Sequence, residues 1–228
     1  MPGRRKIIII SGLCAAVAGA LIKRHGNHSG ASLPIFALDK PLLAHRQFLV
    51  AVTGWSLFSI YWDAAAKGAS AAKSSESRAS RGLHVFLTNA ALLLVISPIR
   101  GLGRFLPASS LTMVAGLTVE AMGLFLAIWA RRHLGRNWSG EITIKVEHQL
   151  IRSGPYGLLR HPIYTGLLAM YTGTTLVTGE WLAIIGLILA AFAYWRKTRL
   201  EEANLSVAFG AEYAAYRHET WALVPGLF

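Results

Sequence analysis

Cysteine is nearly absent: Cys14 is the only one in 228 residues. One thiol excludes a disulfide framework and a cysteine-rich zinc site. Charge is scarce as well, at 15% of residues, where a soluble domain carries about 25%. Acids are scarcer than bases, 11 against 23, so the net charge is +12. A hydrophobic share of 54% and a mean hydropathy of +0.44 exclude a disordered chain and argue against a soluble one. No repeat of fixed period is visible. A glycine-rich nucleotide turn is also missing. The nearest stretch, Gly101-Leu102-Gly103, lacks the third glycine and follows an apolar run, so the common soluble dinucleotide-type site is excluded.

What the chain does have is apolar runs. Six stand out, at 7–22, 47–62, 82–99, 106–130, 163–178 and 181–195. A bilayer span takes roughly 20 such residues, so some of these need flanking turns to complete them. Only Gly179 and Glu180 separate the last two, which predicts a tight helical hairpin. The expected fold class is all-α, a polytopic membrane bundle of about five to six transmembrane helices. Arg4-Arg5-Lys6 before the first run and Ala18-Gly19-Ala20 near its end also suit a cleaved signal peptide. Residues 7–22 therefore stay open between a retained helix and a signal. Small residues such as Gly12, Ala16, Gly116, Gly186 and Ala190 suit close helix packing.

The basic residues report orientation. With the N-terminus inside, 17 of the 23 Lys and Arg fall on the inner side and 6 on the outer. Such a bias predicts both termini in the cytoplasm; a bacterial inner membrane is the expected location. The same bias accounts for the basic pI without nucleic acid, because the basic residues follow loops and form no single stripe. The histidines His25, His28, His45, His84, His133 and His218 are scattered without zinc-like spacing, and no metal site is expected. Trp55, Trp62, Trp129, Trp181, Trp195 and Trp221 mostly lie near run ends, as in an interfacial aromatic belt.

Chemistry concentrates in two regions on the predicted inner side. The first runs from Arg131 through Trp138, an alternating β-like stretch at 142–146, His148, the turn Gly154-Pro155-Tyr156 and Arg160-His161-Pro162. Pro162 suits the first turn of a helix, whose free N–H groups can meet an anion. The second is Arg196-Lys197-Thr198-Arg199-Leu200-Glu201-Glu202. Both flank the predicted hairpin and should be neighbours in space. Taken alone, the second reads as a solvated helix end snorkelling from the membrane.

Together these residues form a pattern. Arg160-His161-Pro162-x-Tyr164-x-Gly166 is preceded by His148-x-Leu150-Ile151-x-x-Gly154-Pro155-Tyr156. Glu201-Glu202 is followed by Phe209-Gly210-x-x-Tyr213-x-x-Tyr216. The ordered set resembles the isoprenylcysteine carboxyl methyltransferase family of integral membrane enzymes, to which phospholipid N-methyltransferases are related. The resemblance covers 106–228 and implies a methyltransferase-like membrane core there, with a cytoplasmic C-terminal helix and a cytoplasmic-side cofactor pocket, and 1–105 a variable N-terminal membrane region without a motif. It implies S-adenosylmethionine as cofactor, held by His148, Leu150, Ile151, Gly154, Pro155, Tyr156, His161, Tyr164, Glu201 and Glu202. By the same analogy Arg199, with Arg160, would orient an acceptor carboxylate. Arg196, Trp138 and the intramembrane acid Glu120 are candidates for the acceptor route; Glu120 suits a structural pairing equally well.

The expected activity is methylation of a carboxylate on a lipophilic, isoprenylcysteine-like acceptor. A phospholipid amine or a small thiol is the alternative, and would need a base or help with ionisation. A non-catalytic transporter or scaffold would spread polar residues at mid-bilayer and show an inverted repeat; here the motifs gather at one side. Membrane lipids and a lipophilic or lipidated substrate are the expected partners. The acceptor's identity and the oligomeric state are not written in the sequence.

Overall fold

A computed structural model describes residues 42–66, 76–96, 102–135, 138 and 150–227. Among these lie five α-helices: α1 (Leu42–Ala66), α2 (Arg78–Val95), α3 (Ser110–Leu134), α4 (Pro162–Thr178) and α5 (Trp181–Glu219). A 3-10 turn, Gly154–Gly157, precedes α4. No strand occurs among the described residues, only two isolated bridges. The all-α membrane bundle expected from the sequence is what forms. The first apolar run and the β-like stretch at 142–146 lie outside the described residues.

Local chemistry sets the helix ends. The Ser77 side chain accepts from Ser80 N at 3.1 Å, so α2 starts four residues before its apolar run. Ser109 and Thr112 form a reciprocal capping box that starts α3. Gly179, in the left-handed region, ends α4, and α5 follows at once. Arg104 Nη1 meets Glu180 Oε1 at 3.2 Å, which ties the α2–α3 connection to that turn.

Two helix pairs dominate the packing, α3 on α4 and α5 on α2. The first is a backbone contact. A Cβ on Gly123 would lie 2.4 Å from Gly166 O, and one on Gly116 2.7 Å from Gly173 O. Small residues allow this approach, and it gains dispersion contact that lipid cannot supply. In the second pair, a Cβ on Gly186 would stand 2.7 Å from Ala91 O. Trp55, Leu92, Met170, Tyr171 and Tyr194 fill the space between.

The outward faces are apolar. Met122 and Phe125 on α3 and Ile188 on α5 are each more than 60% exposed. These two helices are long and apolar enough to cross a membrane, and their exposed faces suit lipid. Trp129, Trp181 and Trp195 are exposed on them. Trp55 departs from the expected belt. It is 2% exposed, and its Nε1 donates to Thr174 Oγ1 at 2.9 Å.

The C-terminal helix expected beyond the last apolar run is continuous with that run in α5. Its apolar run stops near Trp195, yet the helix continues to Glu219, 39 residues in all. The stretch before Gly210 is about 43 Å long at 1.5 Å per residue, more than a hydrocarbon core of roughly 30 Å. One stripe stays buried along it: Ala183, Gly186, Ala190 and Ala193, then Tyr194, Lys197, Thr198 and Glu202. Small residues within the apolar run give way to polar ones beyond it.

Candidate active site

The site is built where that polar stripe meets the start of α4. Gly210 has φ +50, a left-handed value that bends α5 and turns its last two turns back over the 3-10 turn. There the Tyr216 hydroxyl donates to Tyr156 O at 2.6 Å, and Arg152 donates to Glu212 O at 2.7 Å. The segment after α5 then lies beside the residues before α4. Arg160 N donates to Trp221 O at 2.8 Å and His161 N to Ala222 O at 3.1 Å.

Arg160 is the strut of this arrangement. Its Nε donates to Glu202 Oε1 at 2.7 Å. Its Nη1 donates to Arg217 O at 3.1 Å and also to Thr220 O. The guanidinium is therefore engaged by one carboxylate and two helix-end carbonyls, a fixed fork that only arginine supplies.

His161 caps α4 and faces both acids. Its Nδ1 lies 3.4 Å from Glu201 Oε2 and its Nε2 3.5 Å from Glu202 Oε1. Tyr164 stacks against the imidazole, centroids 5.7 Å apart, and donates from its hydroxyl to Glu201 Oε1 at 2.5 Å. Burial disfavours the imidazolium, but hydrogen bonding to Glu201 and Glu202 outweighs it and holds His161 above the ordinary histidine range. Burial likewise acts to raise Glu202, but His161 and Arg160 overcome it and bring the carboxyl down to about 2. Glu201 is lowered against its own burial chiefly by His161, with Lys197 and Tyr164 adding to it. The two adjacent acids differ in access: the Glu202 side chain is 9% exposed and that of Glu201 23%.

The remaining sequence candidates separate. Gly154, at φ +59, starts the 3-10 turn, and a Cβ there would lie 2.7 Å from the His133 ring. Pro155 and Tyr156 are buried beside it; Leu150 and Ile151 lead into it half-buried. His148 lies outside the described residues. Arg199 is exposed on the outer face of α5, two residues from Glu201 and so turned away from it. Arg196 donates to Ser80 Oγ at 2.7 Å. Trp138 is buried under the Arg131 guanidinium, 4.1 Å from its ring centroid. Glu120 is 3% exposed and bonded to Thr174 Oγ1 at 3.2 Å. Thr174 is about 20 Å along α4 from His161, so Glu120 does not join the cluster.

Sequence reasoning passed over Lys197, Thr198 and their neighbour Glu76. The signal was available in spacing. Lys197 stands four residues before Glu201, and Thr198 four before Glu202, so each pair shares a helix face.

Residues 111–212 match the family model described as phospholipid methyltransferase. The protein-S-isoprenylcysteine O-methyltransferase of Saccharomyces cerevisiae is 29% identical over 124 residues, 52% of this chain and 51% of that protein. The cobalt-zinc-cadmium resistance protein CzcN of Cupriavidus metallidurans is 36% identical over 114 residues, 49% of this chain and 50% of that protein. The chain spans about half the length of the curated relatives it matches. A solved structure of the eukaryotic intramembrane Ras methyltransferase ICMT shares the fold, with TM-score 0.53, 18% identity, and coverage of 84% of this chain and 70% of that one. Residues 111–212 thus match the phospholipid methyltransferase model, and about half of the chain is similar in sequence to isoprenylcysteine O-methyltransferases.

Proposed function

We propose that this protein is an integral membrane methyltransferase that uses S-adenosylmethionine and methylates a carboxylate on a lipophilic acceptor. The observation that carries it is the buried constellation of Arg160, Glu202, His161, Glu201 and Tyr164 at one end of the α4–α5 hairpin. His161, Tyr164, Glu201 and Glu202 are residues that the family resemblance assigns to the donor, and Arg160 is one that it assigns to the acceptor carboxylate. The basic bias of the sequence supports a cytoplasmic face for this end, and the motif supports 106–228 as the core.

The residues fit a ligand with many polar groups. Among the described residues, Thr198 Oγ1 and the Tyr213 hydroxyl are buried without a hydrogen-bond partner. Thr198 shares a helix face with Glu202, and Tyr213 lies within electrostatic range of it. A buried polar atom left unpaired costs about 1–3 kcal/mol, which a ligand supplying partners would recover. Glu202 is committed to Arg160. Glu201 is the more accessible acid and suits an ammonium or ribose hydroxyls. Tyr164 and Tyr156 offer faces for a cationic or aromatic group. His148, Leu150 and Ile151 are assigned to the same donor by the resemblance alone.

When bound, S-adenosylmethionine supplies an electrophilic methyl: an acceptor O–CH3 bond forms as the S–CH3 bond breaks, and the electron pair stays on sulfur. No proton moves, so the chain's work is alignment and exclusion of water. His161 and Tyr164 fix the Glu201 carboxylate. Arg160 holds Glu202 and the end of α5 in register with α4. The exposed apolar faces of α3 and α5 suit an acceptor with a hydrocarbon tail that arrives through the bilayer.

Titration calorimetry of the detergent-purified protein with S-adenosylmethionine tests this reading. Micromolar binding is expected, weakened at least tenfold by Glu201→Gln. A silent parent, or a variant that binds like the parent, would overturn it. The phospholipid methyltransferase match favours one second reading, an amine acceptor. That reaction releases a proton, which the Glu201 carboxylate would have to take. Labelled-donor products from membranes, separated into base-labile esters and stable N-methyl lipids, decide between the two.

A further inference from the structure

A second buried ion pair stands at the same end of the bundle. Lys197 Nζ lies 2.6 Å from Glu76 Oε2, with the side chains 6% and 2% exposed. Glu76 Oε1 accepts from Ser80 Oγ at 2.8 Å. Arg196 donates to that same Ser80 Oγ at 2.7 Å. Glu76 immediately precedes Ser77, the cap of α2. Lys197 lies one turn before Glu201 on α5, within electrostatic range of it.

As a tie between α2 and α5 this pair is a poor device. Burying two ions costs desolvation that apolar packing avoids, and replacement by apolar residues is often neutral or stabilising. The two helices already meet at backbone distance at Gly186 and Ala91. What the constellation does make is a carboxylate cradle. An ammonium takes one oxygen, a hydroxyl takes the other, and a guanidinium stands behind the hydroxyl. The cradle adjoins the proposed donor residues.

We infer that Lys197 holds the acceptor's carboxylate, and that Glu76 occupies the same place in the free protein. The inference rests on the methyltransferase reading and deepens it by assigning the acceptor subsite. Glu76 is an internal stand-in: its carboxylate shows where an incoming one sits. The acceptor displaces it from Lys197 and Ser80. Lysine suits this task better than a bidentate arginine, because a point donor takes one lone pair and leaves the oxygen another with which to attack. The methyl ester carries no charge and loses its hold on Lys197. Glu76 then returns, which favours product release.

The test is equilibrium binding of N-acetyl-S-farnesylcysteine and its carboxamide to the full chain in lipid nanodiscs. The parent is expected to prefer the acid. Glu76→Gln should tighten acid binding about tenfold and leave the amide unchanged. Lys197→Met should abolish the preference, and Lys197→Arg should restore part of it. A structural clamp would instead make both variants weaken acid and amide alike. That outcome, or a parent with no preference for the acid, overturns the inference. Calorimetry with S-adenosylmethionine on the same samples separates the two readings. Loss of acid preference with intact donor binding sinks only the Lys197 assignment. Acid preference without donor binding sinks only the methyltransferase.

Discussion

Arg160 Nε sits 2.7 Å from Glu202 Oε1 with both side chains more than nine-tenths buried. The same guanidinium also holds the carbonyls of Arg217 and Thr220. One side chain therefore joins the residues before α4, the polar stripe of α5 and the end of α5. Around this junction the proposed donor residues acquire their geometry. Glu202 belongs to the framework of the site and Glu201 to its accessible face.

Removing either partner should be costly. Glu202→Gln leaves a buried guanidinium without its counter-charge, a loss of about 3–5 kcal/mol. Arg160→Lys should not rescue the site, because an ammonium cannot span a carboxylate and two carbonyls in one plane. Thermal unfolding in detergent is expected to show both variants well below the parent. The double variant Arg160→Met with Glu202→Met should recover part of the loss, since no charge is left unpaired. Singles that melt like the parent would contradict the framework role.

Stability should form a plateau with an edge on either side. The Glu202 carboxyl is depressed to about 2 from an ordinary 4.5. Its contribution, about 3 kcal/mol by linkage, is present above pH 4.5 and lost as pH falls through about 2. His161 is raised above 6.5. Its contribution is complete below 6.5 and lost as pH rises through its folded value. Unfolding midpoints measured across pH in His161→Gln are expected to lose the His161 part of the alkaline edge and to shrink the acid edge, because His161 helps to hold Glu202 down.

Much of this was legible in the sequence. The apolar runs at 163–178 and 181–195 mark α4 and the membrane part of α5. The His-Pro-x-Tyr run and the adjacent acids meet in space as their flanking of the hairpin implied. The continuation of α5 to Glu219 was not legible as a span, because hydropathy falls after Trp195 while helical spacing persists. Glu76 was hidden for another reason. It lies 121 residues from Lys197, and only the pairing of α2 with α5 brings them together. In the sequence Glu120 stood open between an acceptor route and a structural pairing. In the fold it fits against Gly54, where a Cβ would stand 2.3 Å from Glu120 Oε1, and serves the packing of α1, α3 and α4.

Arg199 offers a sharp contrast with Lys197. Both are basic residues near Glu201, but Arg199 is exposed and Lys197 buried. Arg199→Ala should leave the affinity for S-adenosylmethionine within about twofold of the parent and the melting temperature nearly unchanged. Calorimetry and thermal unfolding check both. A tenfold loss of donor affinity would return Arg199 to the site, through a rearrangement of the α5 surface on binding.

The glycines of the bundle separate by what surrounds them. Gly82 lies exposed within α2, and a Cβ added there would meet nothing within 4 Å. Gly82→Ala should therefore stabilise by about 0.5–1 kcal/mol through lower chain entropy. Gly123 is the opposite case. Its Cβ would stand 2.4 Å from Gly166 O and 2.8 Å from Met170 N, both backbone atoms that cannot rotate away. Gly123→Ala must push α3 from α4, at a cost of about 1–3 kcal/mol. Gly54→Ala should fall between them, because it meets only the tip of Glu120, and Glu120→Ala on the same chain should relieve that contact. Melting temperatures of the four variants in one detergent give the order Gly82→Ala, Gly54→Ala with Glu120→Ala, Gly54→Ala, Gly123→Ala. A Gly123→Ala chain as stable as the parent would mean that α3 and α4 do not pack backbone to backbone.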